Sequence, residues 1–428
     1  MSFVADLRVV LRGRDFRRLF GTRLVSQFSD GIFQFGVAGF AFFSPEKQTT
    51  ALEVATGLAV LLLPYSILGP FVGVFIDRWS RRQILVFAPM VRGALLLGAA
   101  VLVASGVPDP VFYVAALGVL AVNRFFLAAL GASLPHVVPP DRLMAANAVT
   151  PTSGTVLTFV GAGLGFVLRE VFGGDNAGTA LLLTTSGVVF GLSALIARTM
   201  ERSLLGPSYN PDRPQAREAL RNVLVGLVDG VRNLGRHRMA AATMGAMAAH
   251  RFLYGMATAL GIILYRYYFT DGDPDAALRG ISLVVATSGV GYFLAVIITP
   301  WAAERFTIER WVTMALTAAG VLTAVLVMPF QTWGLPAAGF VLGIAGQSVK
   351  ICADTTVQRD VEDTYLGRAF SIYDMLFNGM YVLAAALAAA ILPANGKSYL
   401  AAAIIAIGYP VAAAVYRMVT SAPEPASR

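Results

Sequence analysis

Long apolar segments separated by short polar ones recur along the whole chain. A bilayer core about 30 Å thick needs about 20 residues of helix to cross it, and a helix satisfies its own backbone hydrogen bonds in lipid. The pattern therefore predicts twelve membrane-spanning helices, here numbered spans 1 to 12. They cover residues 19–43, 52–76, 83–105, 110–134, 148–172, 177–199, 239–269, 279–303, 310–329, 333–357, 368–392 and 398–418.

One connection breaks this pattern, because residues 200–238 are longer and more polar than the other loops. The connection begins with a linker that contains Pro207, Pro211 and Pro214. An amphipathic helix at the cytoplasmic interface is predicted to follow the linker. Its apolar face comprises Leu220, Val223, Leu224, Leu227, Val231 and Leu234, opposite Arg221, Asp229 and Arg232. The connection divides the chain into two six-helix bundles, residues 1–199 and 239–428.

Composition supports a membrane protein. Of the 428 residues, 57% are hydrophobic and 14% are charged, whereas soluble domains are about a quarter charged. Lys and Arg, which give a net charge of +8, concentrate at the two termini and in the loops on the same side as the termini. The positive-inside rule then predicts a multi-pass protein of the cell (plasma) membrane with both termini in the cytoplasm. Because the basic excess is a topology signal, we expect no nucleic-acid partner.

Residues for metal, cofactor or disulfide chemistry are few. Cys352 is the single cysteine, and His136, His237 and His250 are widely separated. A membrane enzyme such as an acyltransferase would need an embedded His–Asp pair or histidines at metal-ligand spacing. We therefore predict no disulfide, no metal site, no cofactor and no enzymatic activity.

The two halves of the chain resemble each other at three places. Asp30 aligns with His250, "DRWSRRQ" (77–83) with "ERFTIER" (304–310), and "VPPDRLMAANA" (138–148) with "VEDTYLGRAFS" (361–371). The offsets are 220, 227 and 223 residues. A duplicated six-span unit is typical of secondary transporters, whose substrate site lies near the membrane midplane between the repeats.

The segment "GVFIDRWSRR" (Gly73–Arg82) resembles the G-x-x-x-D-R-x-x-R-R/K loop of the major facilitator superfamily. The 6+6 split, the long central loop and the degenerate second motif extend this resemblance over essentially the whole chain. The fold it implies is an all-α polytopic membrane protein with twelve transmembrane helices in two pseudo-symmetric six-helix bundles. The loops "LPHVVPPDRLMAANA" and "QRDVEDTYLGRAFSIYD" resemble, more loosely, those of twelve-span exporters of drugs and siderophores.

The loop after span 2 is a candidate cytoplasmic gate. Gly73 permits close helix approach, and Asp77 can accept hydrogen bonds from Arg78 or Arg81 and from a helix N-terminus. The resemblance makes that helix span 11. The alternative is that Arg78, Arg81 and Arg82 only orient the chain and face phospholipid, but this leaves Gly73 and Asp77 without a role. A second-half counterpart of the gate comprises Glu304, Arg305, Asp354, Arg368 and Asp374.

Ionisable residues inside the spans are candidates for function, because they are costly in lipid. Asp30, near the middle of span 1, is a candidate proton carrier or a structural ion-pair partner. Arg92 and Arg124 can either bind an anionic group or pair with Asp30. His250 is a second proton-coupling candidate. Arg251 is the fifth candidate, and since adjacent helical residues lie about 100° apart, it and His250 cannot both face the cavity.

Two further features bear on cargo and direction. Lys350 and Asp354 have the i, i+4 spacing of an ion pair, and the deep charges sum to an excess of base, which favours an acidic cargo. Span 5 carries Gly154, Gly161, Gly163 and Gly165, a small-residue face for helix packing. Proton antiporters of the superfamily usually carry a Gly-Pro motif here, but Ala162 takes the place of the proline, which weakens the case for export.

These observations predict a secondary active transporter that works by alternating access. The leading hypothesis is proton-coupled export of a small amphipathic or anionic compound by a monomer in contact with membrane lipid. Uptake by proton symport, or facilitated or lipid transport, is the alternative with the same fold. A non-transporting membrane receptor or scaffold is the alternative of another class.

Overall fold

The structure is a computed structural model that describes residues 11–37, 76, 79–106, 109–173, 175–206 and 223–421. Predicted span 2 lies outside these residues except for Ile76, and so do the three linker prolines. Three predicted gate residues, Gly73, Asp77 and Arg78, also lie outside the described residues.

The described residues form twelve α-helices and no β-strand. The helices are α1 (Arg14–Val37), α2 (Arg81–Ala104), α3 (Asp109–Ser133), α4 (Leu143–Phe172), α5 (Asn176–Arg198), α6 (Val223–Arg236), α7 (Arg238–Ile263), α8 (Pro274–Phe306), α9 (Ile308–Val327), α10 (Gly334–Asp360), α11 (Asp363–Ile391) and α12 (Tyr399–Ser421). A π-helical segment, Leu264–Phe269, continues α7, and short 3₁₀ turns, Leu134–His136 and Pro140–Arg142, connect α3 to α4.

The helices follow the predicted spans closely. Ten of them, all except α1 and α6, are long and apolar enough to cross a membrane. Helix α1 corresponds to span 1 but carries six charged residues between Arg14 and Val37, which lowers its hydropathy. Helix α6 is the predicted amphipathic helix of the central connection. Of the twelve predicted spans, only span 2 has no described helix.

The chain forms two compact units. The first contains the described residues up to Arg232 together with Val361–Ile372, which includes the first ten residues of α11. The second contains Asn233–Asp360 and the described residues from Tyr373 onwards.

The first unit is held together by α1, α2, α3 and α5. Its apolar core comprises Phe33, Leu96, Ala99, Ala100, Val103, Ala116, Val119, Ala180, Leu183 and Phe190. Hydroxyl groups also join α1 to α5, since Ser29 Oγ donates to Ser186 O at 2.7 Å and Ser193 Oγ donates to Thr22 O at 2.8 Å. Such bonds hold spans together in lipid, where apolar side chains gain little from leaving the bilayer.

The second unit is built around α10, which packs against α7, α8 and α9 and is buried over most of its length. Two side-chain hydrogen bonds fix its neighbours. Thr243 and Thr356 join α7 to α10 at 2.6 Å, and Thr299 donates to Ser348 of α10 at 2.9 Å.

The two units use the same helix pairs. In the first, α2 packs on α5, α1 on α5 and α2 on α3; the equivalent pairs in the second are α9 with α12, α7 with α12 and α9 with α10. Glycines mark another equivalent position, because Gly31 of α1 approaches α4 and Gly255 of α7, 224 residues later, approaches α11. The predicted internal repeat is therefore present in the packing.

Helix α6 buries one side of its surface. Gly230, Asn233 and Leu234 form the buried side, and Gly230 lies against Arg368 and Ile372 of α11. Of the predicted apolar face, Leu234 is buried and Val231 is 52% exposed. Exposed apolar side chains are what a helix at the membrane interface presents to lipid.

Candidate functional site

A buried ion pair lies in the first unit. Arg92 of α2 is fully buried and its Nη2 contacts Oδ1 of Asp30 in α1, which is also buried. Arg92 Nη1 donates to Ser26 Oγ at 3.3 Å, and the guanidinium lies 4.0 Å from the centre of the Phe190 ring. Of the two alternatives for Arg92, the structure thus places it against Asp30. Asp30 Oδ2 has no hydrogen-bond partner in the described part of the chain.

Arg124 lies in the same region. It projects from α3, is half-buried, and is close enough to Asp30 for a Coulombic interaction. Asp30 is therefore a carboxylate near two guanidinium groups, only one of which is its ion-pair partner.

Helices α1 and α4 cross directly beside Asp30. A Cβ atom added to Gly31 would lie 1.9 Å from Thr158 O, and one added to Gly161 would lie 2.0 Å from Phe28 O. Gly161 therefore permits the two backbones to touch, as a small residue does at membrane helix crossings.

The other glycines of α4 are not equivalent. A Cβ added to Gly154 would lie 2.7 Å from Gln27 Oε1, and one added to Gly165 would lie 2.9 Å from the Phe35 side chain. Both glycines therefore face α1. The structure contradicts the expectation for Gly163, which is exposed and has open space within 4 Å of an added Cβ. The physical reason is helical geometry, because Gly161 and Gly163 are two residues apart and point to different sides of α4.

His250 is buried in the second unit. Its Nδ1 lies 3.1 Å from Tyr409 Oη, and its ring stacks on Tyr254 with 5.7 Å between the ring centres. Gly346 of α10 makes room for the imidazole, because an added Cβ would lie 2.3 Å from His250 Nε2. His250 thus faces the interior of the bundle between α10 and α12.

Arg251 points in another direction and lies among aromatic rings. Its guanidinium carbon is 3.9 Å from the ring centre of Phe377, 4.4 Å from that of Tyr381 and 5.9 Å from that of Tyr254. Arg251 Nε donates to Phe377 O at 3.2 Å. No carboxylate of the described residues lies within 4 Å of this guanidinium. His250 and Arg251 thus point in different directions, as expected for adjacent residues of one helix.

An apolar cavity of about 240 Å³ begins beside this cluster. It lies between α7, α8, α9, α10 and α12, and Tyr254 forms part of its wall. Thr323, which is 1% exposed, lines the same cavity, and its hydroxyl group has no hydrogen-bond partner in the described parts of the chain. Tyr254 lies both near the Arg251 guanidinium and on the wall of this apolar cavity.

The residues of the predicted second-half gate lie in different surroundings. Lys350 Nζ lies 2.5 Å from Asp354 Oδ2, as the i, i+4 spacing predicts. Glu304 and Arg305 are exposed at the end of α8, and no ion pair within the described ranges involves either of them. Arg368 Nη2 donates to Thr364 O at 3.4 Å, and Asp374 O accepts from Asn378 at 2.9 Å. Glu304 and Arg305 align with Asp77 and Arg78 of the first motif, whereas Ile308 and Glu309 stand where the first motif has Arg81 and Arg82.

Arg81, of the predicted first gate, is fully buried at the start of α2. Its Nη1 donates to Ala132 O at 2.9 Å, to Leu205 O at 3.3 Å and to Asp363 Oδ1 at 2.6 Å, and its Nη2 donates to Asp363 O at 3.0 Å. His136 Nε2 lies 3.5 Å from the same carboxylate oxygen. The loop after span 2 thus contacts the start of α11 through Arg81, and Asp77 lies outside the described residues.

The segment after α5 is held by the residues beside Arg81. Ser80 Oγ donates to Arg202 O at 3.0 Å, and Arg82 donates to Met200 O at 3.2 Å and to Arg198 O at 2.6 Å. Gly206 ends this segment with a φ of 66°, a backbone conformation that favours glycine. A side chain there would also be crowded, because an added Cβ would lie 2.8 Å from His136 Nε2.

The sequence did not single out several of these partners. Asp363 lies within the quoted segment "VEDTYLGRAFS", but acids are common in first helical turns and nothing local places it beside Arg81. Tyr409 and Gly346 come from distant helices, so no signal in the sequence connects them to His250.

One contact ties the loop before α12 to the π-helical segment that continues α7. Lys397 Nζ donates to Tyr268 Oη at 2.8 Å and lies 4.7 Å from the ring centre. The hydrogen bond to Tyr268 raises the pKa of Lys397.

In the described part of the chain, no three His, Cys, Asp or Glu side chains come together as metal ligands.

Comparison with known proteins identifies the family. An uncharacterised MFS-type transporter of Mycobacterium tuberculosis is 35% identical over 392 residues, which cover 90% of this chain and 86% of that protein. The multidrug efflux pump Tap of the same organism is 23% identical and covers 74% of this chain and 72% of the pump. No family model matches the chain.

Solved structures show the same fold. A bacterial homologue of the iron transporter ferroportin, in an outward-facing state, covers 95% of this chain and 99% of its own at a TM-score of 0.69 and 17% identity. The transporter FucP in its outward conformation covers 96% of this chain and 99% of its own at a TM-score of 0.66 and 13% identity. The chain belongs to the major facilitator superfamily, and it is a multi-pass membrane transporter rather than an enzyme.

Proposed function

We propose that the protein exports a small amphipathic anion across the cell membrane in exchange for protons. It acts as a monomer of two six-helix bundles, residues 1–199 and 239–428, joined by the connection 200–238, with both termini in the cytoplasm. Export is favoured by the similarity to the efflux pump Tap. The concentration of Lys and Arg in the termini and the loops on their side supports the orientation.

The observation that carries the substrate class is Arg251. A guanidinium in a membrane bundle is costly unless an anion or a polar partner compensates it. Aromatic rings and one carbonyl compensate Arg251 in part, and no carboxylate in the described ranges does so. The apolar cavity that begins at Tyr254 then accepts the hydrophobic part of a ligand whose acidic group binds Arg251.

Asp30 is the proposed proton carrier. Its Oδ1 contacts Arg92 and its Oδ2 has no described partner, so the carboxylate has a free site for a proton. Protonation would release Arg92 from its ion pair and change the charge of the cluster that includes Arg124. His250 is a second proton-coupling candidate through its contact with Tyr409.

Arg81 and Asp363 are the proposed cytoplasmic gate, together with Gly73, Asp77, Arg78 and Arg82 of the same loop. The buried Arg81 holds three chain segments through charge-assisted hydrogen bonds. Such bonds are about twice as strong as neutral ones, which suits a contact that must hold in one state and break in another.

Transport by proteoliposomes tests the proposal. The probes are an impermeant naphthalenesulfonate and its cationic counterpart, a naphthyl trimethylammonium, each offered with an imposed pH gradient. Antiport predicts that an acidic lumen drives accumulation of the sulfonate and not of the cation. Accumulation with an alkaline lumen would indicate proton symport instead, and preference for the cation would refute the anionic substrate class.

Variants separate the two roles. Arg251→Gln should raise KM for the sulfonate about 10- to 100-fold, the range for loss of one charge-assisted bond. Arg310→Gln is the matched control, because it removes an exposed arginine that lies outside the candidate sites and forms no ion pair among the described residues. Asp30→Asn should abolish gradient-driven accumulation but retain exchange of labelled for unlabelled sulfonate. If gradient-driven accumulation persists in Asp30→Asn, Asp30 is not the proton carrier.

A further inference from the structure

A groove between α2 and α5 runs along the outer surface of the first unit. It has a volume of about 630 Å³ and combines two kinds of lining. Large apolar side chains form most of it, including Phe87, Met90 and Leu195, which are 59%, 51% and 59% exposed. Side chains of this kind, exposed on a membrane helix, contact lipid chains.

Arginines surround one end of the groove. Arg82 at the start of α2, Arg198 at the end of α5 and Arg202 just beyond α5 all line it. Arg198 and Arg202 lie close enough to Arg82 to repel its positive charge. No carboxylate in the described part of the chain lies within 4 Å of any of the three guanidinium groups.

Only one of these arginines has a structural role. Arg82 donates to Arg198 O and Met200 O and so stabilises the end of α5. The side chains of Arg198 and Arg202 are exposed and donate no hydrogen bond to any other described residue. Three like charges around one groove repel each other, and a bound anion would remove that repulsion.

We propose that this groove binds an anionic phospholipid, with the phosphate between Arg198 and Arg202 and an acyl chain along Phe87, Met90 and Leu195. The occupant is a lipid rather than a soluble phosphate, because the charged end is continuous with an apolar groove that only a chain-bearing molecule fills. Basic clusters at the ends of membrane helices attract acidic headgroups. The site is separate from Arg251 and its cavity, and it does not depend on the substrate or on the direction of transport.

Native mass spectrometry of the purified full-length protein tests the inference. The probes are dioleoyl phosphatidylglycerol, dioleoyl phosphatidylcholine and soluble glycerol 3-phosphate. The double variant Arg198→Gln/Arg202→Gln should bind phosphatidylglycerol roughly 30-fold more weakly, at about fivefold for each arginine near a headgroup. The matched control is Arg310→Gln/Arg417→Gln, which removes the same charge from the ends of α9 and α12 and should leave this binding unchanged.

A second variant tests the apolar part of the groove. Gly191 of α5 lines the groove, and an added Cβ there meets no atom within 4 Å, so Gly191→Phe places a ring at the groove wall with an unstrained Cβ. This variant should weaken phosphatidylglycerol binding, whereas Gly163→Phe on the exposed side of α4 should not. Equal binding of phosphatidylglycerol and phosphatidylcholine, or unchanged binding in the double variant, would overturn the proposal. Tight binding of glycerol 3-phosphate that Gly191→Phe does not affect would indicate a soluble-anion site and would also overturn it.

Discussion

Helix α4 offers an internally controlled test of the packing beside Asp30, through Gly161→Ala and Gly163→Ala. An added Cβ at Gly161 would lie 2.0 Å from Phe28 O, whereas ordinary contacts begin at 3.4 Å. The backbones of α1 and α4 would have to separate by about 1.4 Å, the difference between these two distances. At Gly163 the added methyl group meets nothing within 4 Å.

The two variants share the same intrinsic gain in helix propensity, up to about 1 kcal/mol for Gly to Ala. The difference between them therefore isolates the cost of overpacking, about 1–3 kcal/mol or more. The cost lies toward the upper end because the atom opposite Gly161 belongs to the backbone and cannot rotate away.

The assay is the monodisperse fraction in size-exclusion chromatography after heating the detergent-purified protein. We expect Gly161→Ala to lose this fraction several degrees below the wild type, and Gly163→Ala to match or exceed the wild type. Because α1 also carries Asp30, Gly161→Ala should lower gradient-driven transport as well. If Gly161→Ala is as stable as Gly163→Ala, the backbones of α1 and α4 do not approach each other closely at Gly161.

The same heating assay checks three further substitutions. Gly346→Ala should destabilise the second unit by about 1–3 kcal/mol, because the new Cβ would lie 2.3 Å from His250 Nε2. Asp363→Asn should cost about 1–2 kcal/mol, since it removes the carboxylate partner of the buried Arg81 but leaves three carbonyl acceptors. Thr323→Val should raise stability by up to about 1 kcal/mol, because it removes a buried hydroxyl that has no described partner.

Controls for these substitutions come from the same chain. Gly245→Ala on α7 adds a methyl group with no atom within 4 Å and should not destabilise. Asp141→Asn removes a 65% exposed carboxylate and should change stability by less than about 1 kcal/mol. Thr313→Val removes a hydroxyl that donates to Glu309 O at 2.8 Å, so it should not stabilise as Thr323→Val does. A Thr323→Val protein that is less stable than the wild type would indicate a bond at that hydroxyl.

The sequence alone was enough to determine the architecture. Every described span was predicted within a few residues, because crossing a bilayer requires a long apolar helix and this requirement is local to each segment. The repeat was visible as well, since both halves keep related residues at nearly constant offsets. Asp30 and Arg92 were identified for the same reason, because a charge inside a span stands out wherever it occurs.

Only the tertiary structure decided which of these residues meet. It paired Arg92 with Asp30, separated His250 from Arg251, and gave Arg81 a partner in Asp363, which lies 282 residues away along the chain. It also distinguished Gly161 from Gly163, because the sequence shows that both are small but not which one faces α1. A contact between distant segments depends on the crossing and rotation of whole helices, and one segment's hydrophobic pattern does not contain that information.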